Sequence, residues 1–118
     1  MELVVFIGKD RENLGQVSAL INRMDCDKMF LVKDKSAQGM PANEKCRLVE
    51  VDTTKSLFEL KKEMQDKLKP LISKQFEVAL SIASGSGKEH MALLSALLSI
   101  PVGVKLVAYT KEGVKFLT

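Results

Sequence analysis

The segment Ser84-Gly85-Ser86-Gly87-Lys88 has the composition of an anion cradle. Glycine permits close backbone approach and positive φ, and serine offers hydroxyl donors. A helix that starts near Lys88 points its free N–H groups, and the positive end of its dipole, into the same space. The loop is not a Walker A motif, which needs glycine six residues before the lysine and Ser or Thr after it. Those positions hold Ile82 and Glu89, so P-loop ATP hydrolysis is disfavoured. It is not the dinucleotide fingerprint either, because the position of the third glycine is His90. The plain alternative is a glycine-rich turn without a ligand.

A second polar turn, Gly8-Lys9-Asp10, can add a phosphate or ribose contact, with Asn13 and Gln16 one turn further on; alternatively, Asp10 only caps a helix. His90, the single histidine, can act as acid, base or stacking group, or have no role. No second histidine or acidic cluster accompanies it, so no metal or cofactor is expected. Cys26 and Cys46 lack C-x-x-C spacing. The N-terminus MELVVFIG has no basic n-region or cleavage site, so both cysteines are read as reduced thiols of a cytoplasmic protein.

These residues need elements to hold them. The run Leu3-Val4-Val5-Phe6-Ile7 is apolar throughout, as in a strand buried on both faces. Leu14, Val17, Ile21 and Met24 follow at helical spacing. Met29 to Val32 reads as a second strand, Lys33 to Lys45 (with Gly39 and Pro41) as a long polar loop, and Arg47 to Val51 as a third strand. Thr54 or Ser56 can cap a helix carrying Leu57, Leu60, Met64, Leu68 and Leu71. Val78 to Ala83 is a buried strand that runs into Ser84, and 88–100 is helical. Strands over 104–110 and 114–117 close the chain through a hairpin at Lys111-Glu112-Gly113.

The expected order is β-α-β-β-α-β-α-β-β: one α/β domain over residues 1–118, Rossmann-like, with a mainly parallel sheet and a C-terminal antiparallel hairpin. Ligands of such sheets bind beyond the carboxyl ends of the strands where the strand order reverses, and both polar turns belong at that edge.

The 18 Lys and Arg against 15 Asp and Glu give a net charge of +3, well short of a duplex-DNA binder. There is no Trp and one Tyr, which poorly equips the chain to stack single-stranded nucleic acid. A small anion fits better. The longest apolar stretch, Met91 to Val104, is interrupted by Ser95, Ser99 and Pro101, so no membrane span is expected. Within it, Met91, Ala92, Leu93, Leu94, Ala96, Leu97, Leu98 and Ile100 leave the helix almost no polar face. One side can lie on the sheet; the other is expected to form a homodimer, unless the preceding helix or the 33–45 loop covers it.

The segment from Ala83 to Leu94, placed after a buried strand and opening an apolar helix, resembles the CARF domain (CRISPR-associated Rossmann fold). That family carries a Thr/Ser-Gly-Gly-type loop, here Gly85-Ser86-Gly87, followed by a basic residue and an Ala- and Leu-rich helix. Phe6-Ile7-Gly8 with Asp10 matches the place of its other ligand-facing motif, and the closing hairpin is similar. The likeness spans the chain in topology and these two short motifs in identity. It implies a homodimeric sensor in antiviral defence that binds a cyclic oligoadenylate across its two-fold axis, with Gly8, Lys9, Asp10, Ser84, Gly85, Ser86, Gly87, Lys88 and His90 lining the site. In the family, binding controls an attached nuclease or DNA-binding domain. With the sequence ending at Thr118, the expectation is a stand-alone binder, a piece separated from its effector, or a ring nuclease in which Lys88 and either Ser84 or Ser86 assist cleavage.

Overall fold

The computed structural model describes residues 1–39, 43–72 and 74–118. The elements follow the expected order: β1 (Glu2–Ile7), a 3-10 turn (Arg11–Asn13), α1 (Leu14–Arg23), β2 (Met29–Asp34), β3 (Cys46–Val51), α2 (Leu57–Ile72), β4 (Glu77–Ser81), α3 (Gly87–Leu98), β5 (Gly103–Thr110) and β6 (Gly113–Phe116). The six strands lie in the order β3-β2-β1-β4-β5-β6. All neighbours are parallel except the β5–β6 hairpin. This is a Rossmann-like α/β fold, and the order reverses between β1 and β4.

The strand β1 sits at the centre because its positions from Leu3 to Ile7 are all apolar. Val4 pairs in register with Phe30 on one side and Leu80 on the other. Alternation then sorts its side chains. Val4 and Phe6 join Leu60, Met64, Leu93 and Leu97 beneath α2 and α3. Leu3, Val5 and Ile7 join Val17, Leu20 and Ile21 beneath α1. Two helices thus cover one face and a single helix the other.

Two sequence expectations are refined here. Lys33 and Asp34 belong to β2 and are buried, so the loop begins after them; its Pro41 lies outside the described residues. Lys33 is ion-paired and Asp34 is hydrogen-bonded to Ser36 and Thr53, which is what permits burial. The Lys33 ammonium donates to Glu50 Oε2 at 2.9 Å and to the Ala37 carbonyl at 2.8 Å.

The second concerns the apolar third helix. Leu97 is fully buried in the core, and α2 packs along α3 over Ala92, Leu93 and Ala96. The preceding helix is thus one cover of α3, as the alternative to a second copy had it. What remains exposed is Met91, at 57%, and Leu98, at 68%, with Leu57 and Phe58 of α2 beside Met91.

One buried group is out of place. Glu2 opens β1 at 6% exposure, and its Oε1 has no hydrogen-bond partner among the described residues. Desolvation raises its pKa, with Lys28 and the N-terminal ammonium pulling the other way. A carboxyl whose folded pKa lies above its unfolded one adds stability only at low pH, and loses it as pH climbs through the folded pKa. Glu2→Gln is therefore expected to raise the melting temperature at pH 7, by the few degrees that about 1 kcal/mol gives a domain this size. The advantage should shrink below pH of about 4, where the glutamate is protonated in both states. Melting curves of both proteins at the two pH values check this, and a lower Tm for the variant at pH 7 would refute it.

Candidate functional site

Both polar turns meet at the carboxyl edge where the strand order reverses, and Asp10 joins them. Its Oδ1 accepts from the Ser84 hydroxyl at 2.8 Å and from the Gly85 amide at 2.9 Å. Its Oδ2 accepts from Asn13 Nδ2 at 2.8 Å. The carboxylate crosses to the β4–α3 loop and makes no side-chain cap on the turn that follows it. Burial alone would raise its pKa, but the donors from Asn13, Ser84 and Gly85 outweigh that and hold it below the usual carboxylate range.

Ser84 is fully buried. Its hydroxyl donates to Asp10 and accepts from the Gly8 amide at 2.9 Å, so it fastens the two loops together and does not face the cleft. His90 stands behind the same loop. Its Nε2 is 2.7 Å from the Ser84 carbonyl, and its ring meets Phe6 edge-on with centroids 6.5 Å apart. In that contact Nε2 carries the proton and donates to the carbonyl.

The glycines divide by role. Gly85 has φ +106°, and a Cβ there would lie 2.6 Å from the Phe6 ring. A Cβ on Gly8 would lie 2.6 Å from Gly85 Cα. The loops are thus in backbone contact and only glycine fits either position. Gly87 has open space around it.

Ser86 is the N-cap of α3. Its hydroxyl accepts from the Glu89 amide, and Glu89 Oε1 accepts from the Ser86 amide at 2.7 Å, a reciprocal capping box. The cap leaves the first-turn amides of Gly87 and Lys88 outside the helical ladder. Lys88 is exposed, and its ammonium rests on the Thr53 carbonyl at 3.0 Å.

A cleft of ≈ 340 Å³ opens here, lined by Lys9, Asp10, Thr53, Gly85, Ser86 and Glu89. A second, of ≈ 270 Å³, lies across the β1 loop, with Lys9 and Arg11 facing Ser36 and Gln38. Both acids in the first cleft are already hydrogen-bonded, whereas Lys9 is exposed and Lys88 has only a carbonyl partner. The available groups at this edge are cationic or N–H donors, which is chemistry for binding an oxyanion.

Of the expected site residues, Gly8, Asp10, Ser84, Gly85 and His90 form the scaffold of the loops. Lys9, Ser86, Gly87 and Lys88 form the accessible rim. Sequence reasoning missed Thr53, Arg11 and the Asp34 clamp. Asp34, at the end of β2, accepts from the amides and hydroxyls of both Ser36 and Thr53. The usable signal was position: residues just past the end of any parallel strand share this edge. Among the described residues no three His, Cys, Asp or Glu side chains converge on a metal-sized site, and no helix is long and apolar enough to cross a membrane. Among known proteins, no family model matches this chain and no curated sequence matches it.

Proposed function

We propose that this chain is a ligand-sensing domain of the CARF type, which binds a cyclic oligoadenylate at the β1–β4 edge of two paired copies. The observation that carries the reading is the joined pair of loops at the strand-order reversal, with Lys9 exposed, Lys88 held only by the Thr53 carbonyl, and the first-turn amides of α3 outside the helical ladder. A cleft of ≈ 340 Å³ is at the small end of ligand sites, about 300–1,000 Å³. A ring of several nucleotides therefore needs the clefts of two copies, and Met91 and Leu98, exposed along the α3 helix that starts at the cleft, supply an apolar surface for pairing them. In this arrangement Lys88 exchanges its carbonyl partner for phosphate and Lys9 contacts the next one. Ser84 and His90 hold the loop in shape from behind. A ring-cleaving activity at this site would use Lys88 and Ser86, since Ser84 is enclosed.

Calorimetric titration with cyclic tetraadenylate and cyclic hexaadenylate tests the proposal. One ring is expected per two chains. Lys88→Ala should weaken binding by about ten- to hundredfold, the worth of one charge-assisted contact. Its melting temperature should stay close to wild type, because Lys88 is exposed. Chromatography of the ring after incubation separates sensing from cleavage. Absence of heat or thermal shift with either ring would instead favour an interaction module without a small ligand, and equal affinity in Lys88→Ala would move the anion site elsewhere.

A further inference from the structure

The outer strand β3 carries a distinctive pattern of used and unused backbone groups. Its odd-numbered positions bond to β2: the carbonyls of Lys45 and Val51 accept from the amides of Met29 and Lys35 at 3.0 and 2.8 Å. Alternation turns the N–H and C=O of Cys46, Leu48 and Glu50 the other way, where β3 has no neighbouring strand. The chain closes both ends of this edge itself. The Cys46 amide donates to the Asn43 carbonyl at 3.1 Å, and the Glu50 carbonyl accepts from the Lys67 ammonium of α2. Between them, the Cys46 carbonyl, both backbone groups of Leu48 and the Glu50 amide have no partner among the described residues. The Leu48 side chain, in the middle, is 49% exposed.

We infer that this edge pairs with a second copy of the chain, β3 against β3, antiparallel about a two-fold axis at Leu48. In that register Leu48 lies opposite the second copy's Leu48, and Cys46 opposite its Glu50. Each Leu48 amide then donates to the other Leu48 carbonyl, and each Glu50 amide to the other chain's Cys46 carbonyl. Every open group is used. The two groups left facing each other, the Cys46 amide and the Glu50 carbonyl, are the two that each chain has already satisfied. A slip of the axis to Arg47 or Val49 sets an open Leu48 group against a closed one. This self-matching is what identifies the occupant as a second copy, since an isologous interface must complement itself. On the face that carries Cys46, the two Leu48 side chains meet across the axis and leave water together. The edge shares no residue with the α3 surface proposed for ring binding, so either pairing can exist without the other.

Sedimentation equilibrium at micromolar concentration, without nucleotide, tests the pairing. Met91→Glu, which separates any copies held through α3, should still be a dimer. Adding Leu48→Lys should make it a monomer, because two like charges would then face each other across the axis. Adding Leu48→Pro instead should do the same. It removes the outward amide, and proline is tolerated where the N–H of an edge strand faces solvent. Both monomers should keep the wild-type circular dichroism spectrum, since Leu48 is exposed. In a Cys46→Ser background, Leu48→Cys should close a disulfide between copies on mild oxidation, as Cα atoms so paired stand about 5.5 Å apart. Wild type should not, because Cys46 and its counterpart are offset by about 13 Å along the strands. A monomeric Met91→Glu chain, a mass unchanged by Leu48→Lys, or no disulfide with Leu48→Cys would each overturn the pairing. A disulfide between wild-type copies through Cys46 would overturn the register.

Discussion

Replacing Gly85 with alanine should destabilise the protein by about 2–6 kcal/mol, enough to consume much of the stability of an ordinary domain. Two effects add. At φ +106° an L-residue is strained, by about 1–3 kcal/mol. The new methyl would also stand 2.6 Å from a Phe6 ring that is itself only 1% exposed and has nowhere to turn, and overpacking of that kind costs about 1–3 kcal/mol. Gly8→Ala should be comparably harmful for a purely steric reason. Its methyl would meet the Gly85 backbone at 2.6 Å and Asp10 Oδ1 at 2.7 Å, which prises the two loops apart. Gly87→Ala is the control. With open space around it in the first turn of α3, it should be neutral or slightly stabilising. Denaturant unfolding of the three variants decides the matter. If Gly85→Ala unfolds at the wild-type midpoint, the described contact between the loops is wrong.

The second large effect is expected at Asp34. Its Oδ1 accepts from the Thr53 amide at 2.9 Å and the Thr53 hydroxyl at 2.7 Å, and its Oδ2 from the Ser36 amide at 3.0 Å and the Ser36 hydroxyl. The carboxylate is buried, so its removal in Asp34→Ala strands donors of two loops at once, for an expected loss of about 2–4 kcal/mol. The donors, Ser36 first, hold its pKa well below the usual carboxylate range. The sign follows from linkage. A depressed folded pKa contributes stability that is complete above the unfolded value of about 3.9 and is lost as pH falls through the folded one. Wild type should therefore melt at progressively lower temperature from about pH 5 down to pH 2. Asp34→Ala should show a flatter profile and converge with wild type in acid. A constant gap between the two curves at every pH would mean that the side chain acts through packing alone.

Much of the fold was legible because the signals were local. Five consecutive apolar residues from Leu3 to Ile7 allow little but a central strand, and the stripe Leu60, Met64, Leu68 lies on the buried side of α2. What escaped depended on partners distant in sequence. Lys33 and Asp34 look like the start of a loop until Glu50 and Thr53, on and just past β3, are seen to satisfy them inside the sheet. The apolar composition of α3 calls for more cover than the sheet alone provides, but it does not distinguish α2 from a second copy. At the site, the glycine-rich loop and Asp10 were recognisable, while their division of labour was not. Ser84 and Ser86 are the same residue type two positions apart; one is enclosed between Gly8 and Asp10, the other caps a helix. The Ser86-to-Glu89 spacing of a capping box was readable in advance. The enclosure of Ser84 was not, because it depends on a contact with residues more than seventy positions away.

That separation has a consequence for the order of events during synthesis. Ser84 and Gly85 reach Asp10 across 74 and 75 positions, and β1 has β4 as its neighbour on one side. As the chain emerges from the ribosome, β1, α1, β2 and β3 can associate early. One long edge of β1 and the Gly8–Asp10 loop then have nothing to close upon. An apolar strand with a bare edge is a template for pairing with other chains. The nascent protein carries this vulnerability until Glu77 to Ser81 has been made and has docked. Closure of the Asp10 bonds marks the end of the exposed interval. Protection of the Gly85 amide from hydrogen exchange in pulse-labelled refolding intermediates would time that closure directly.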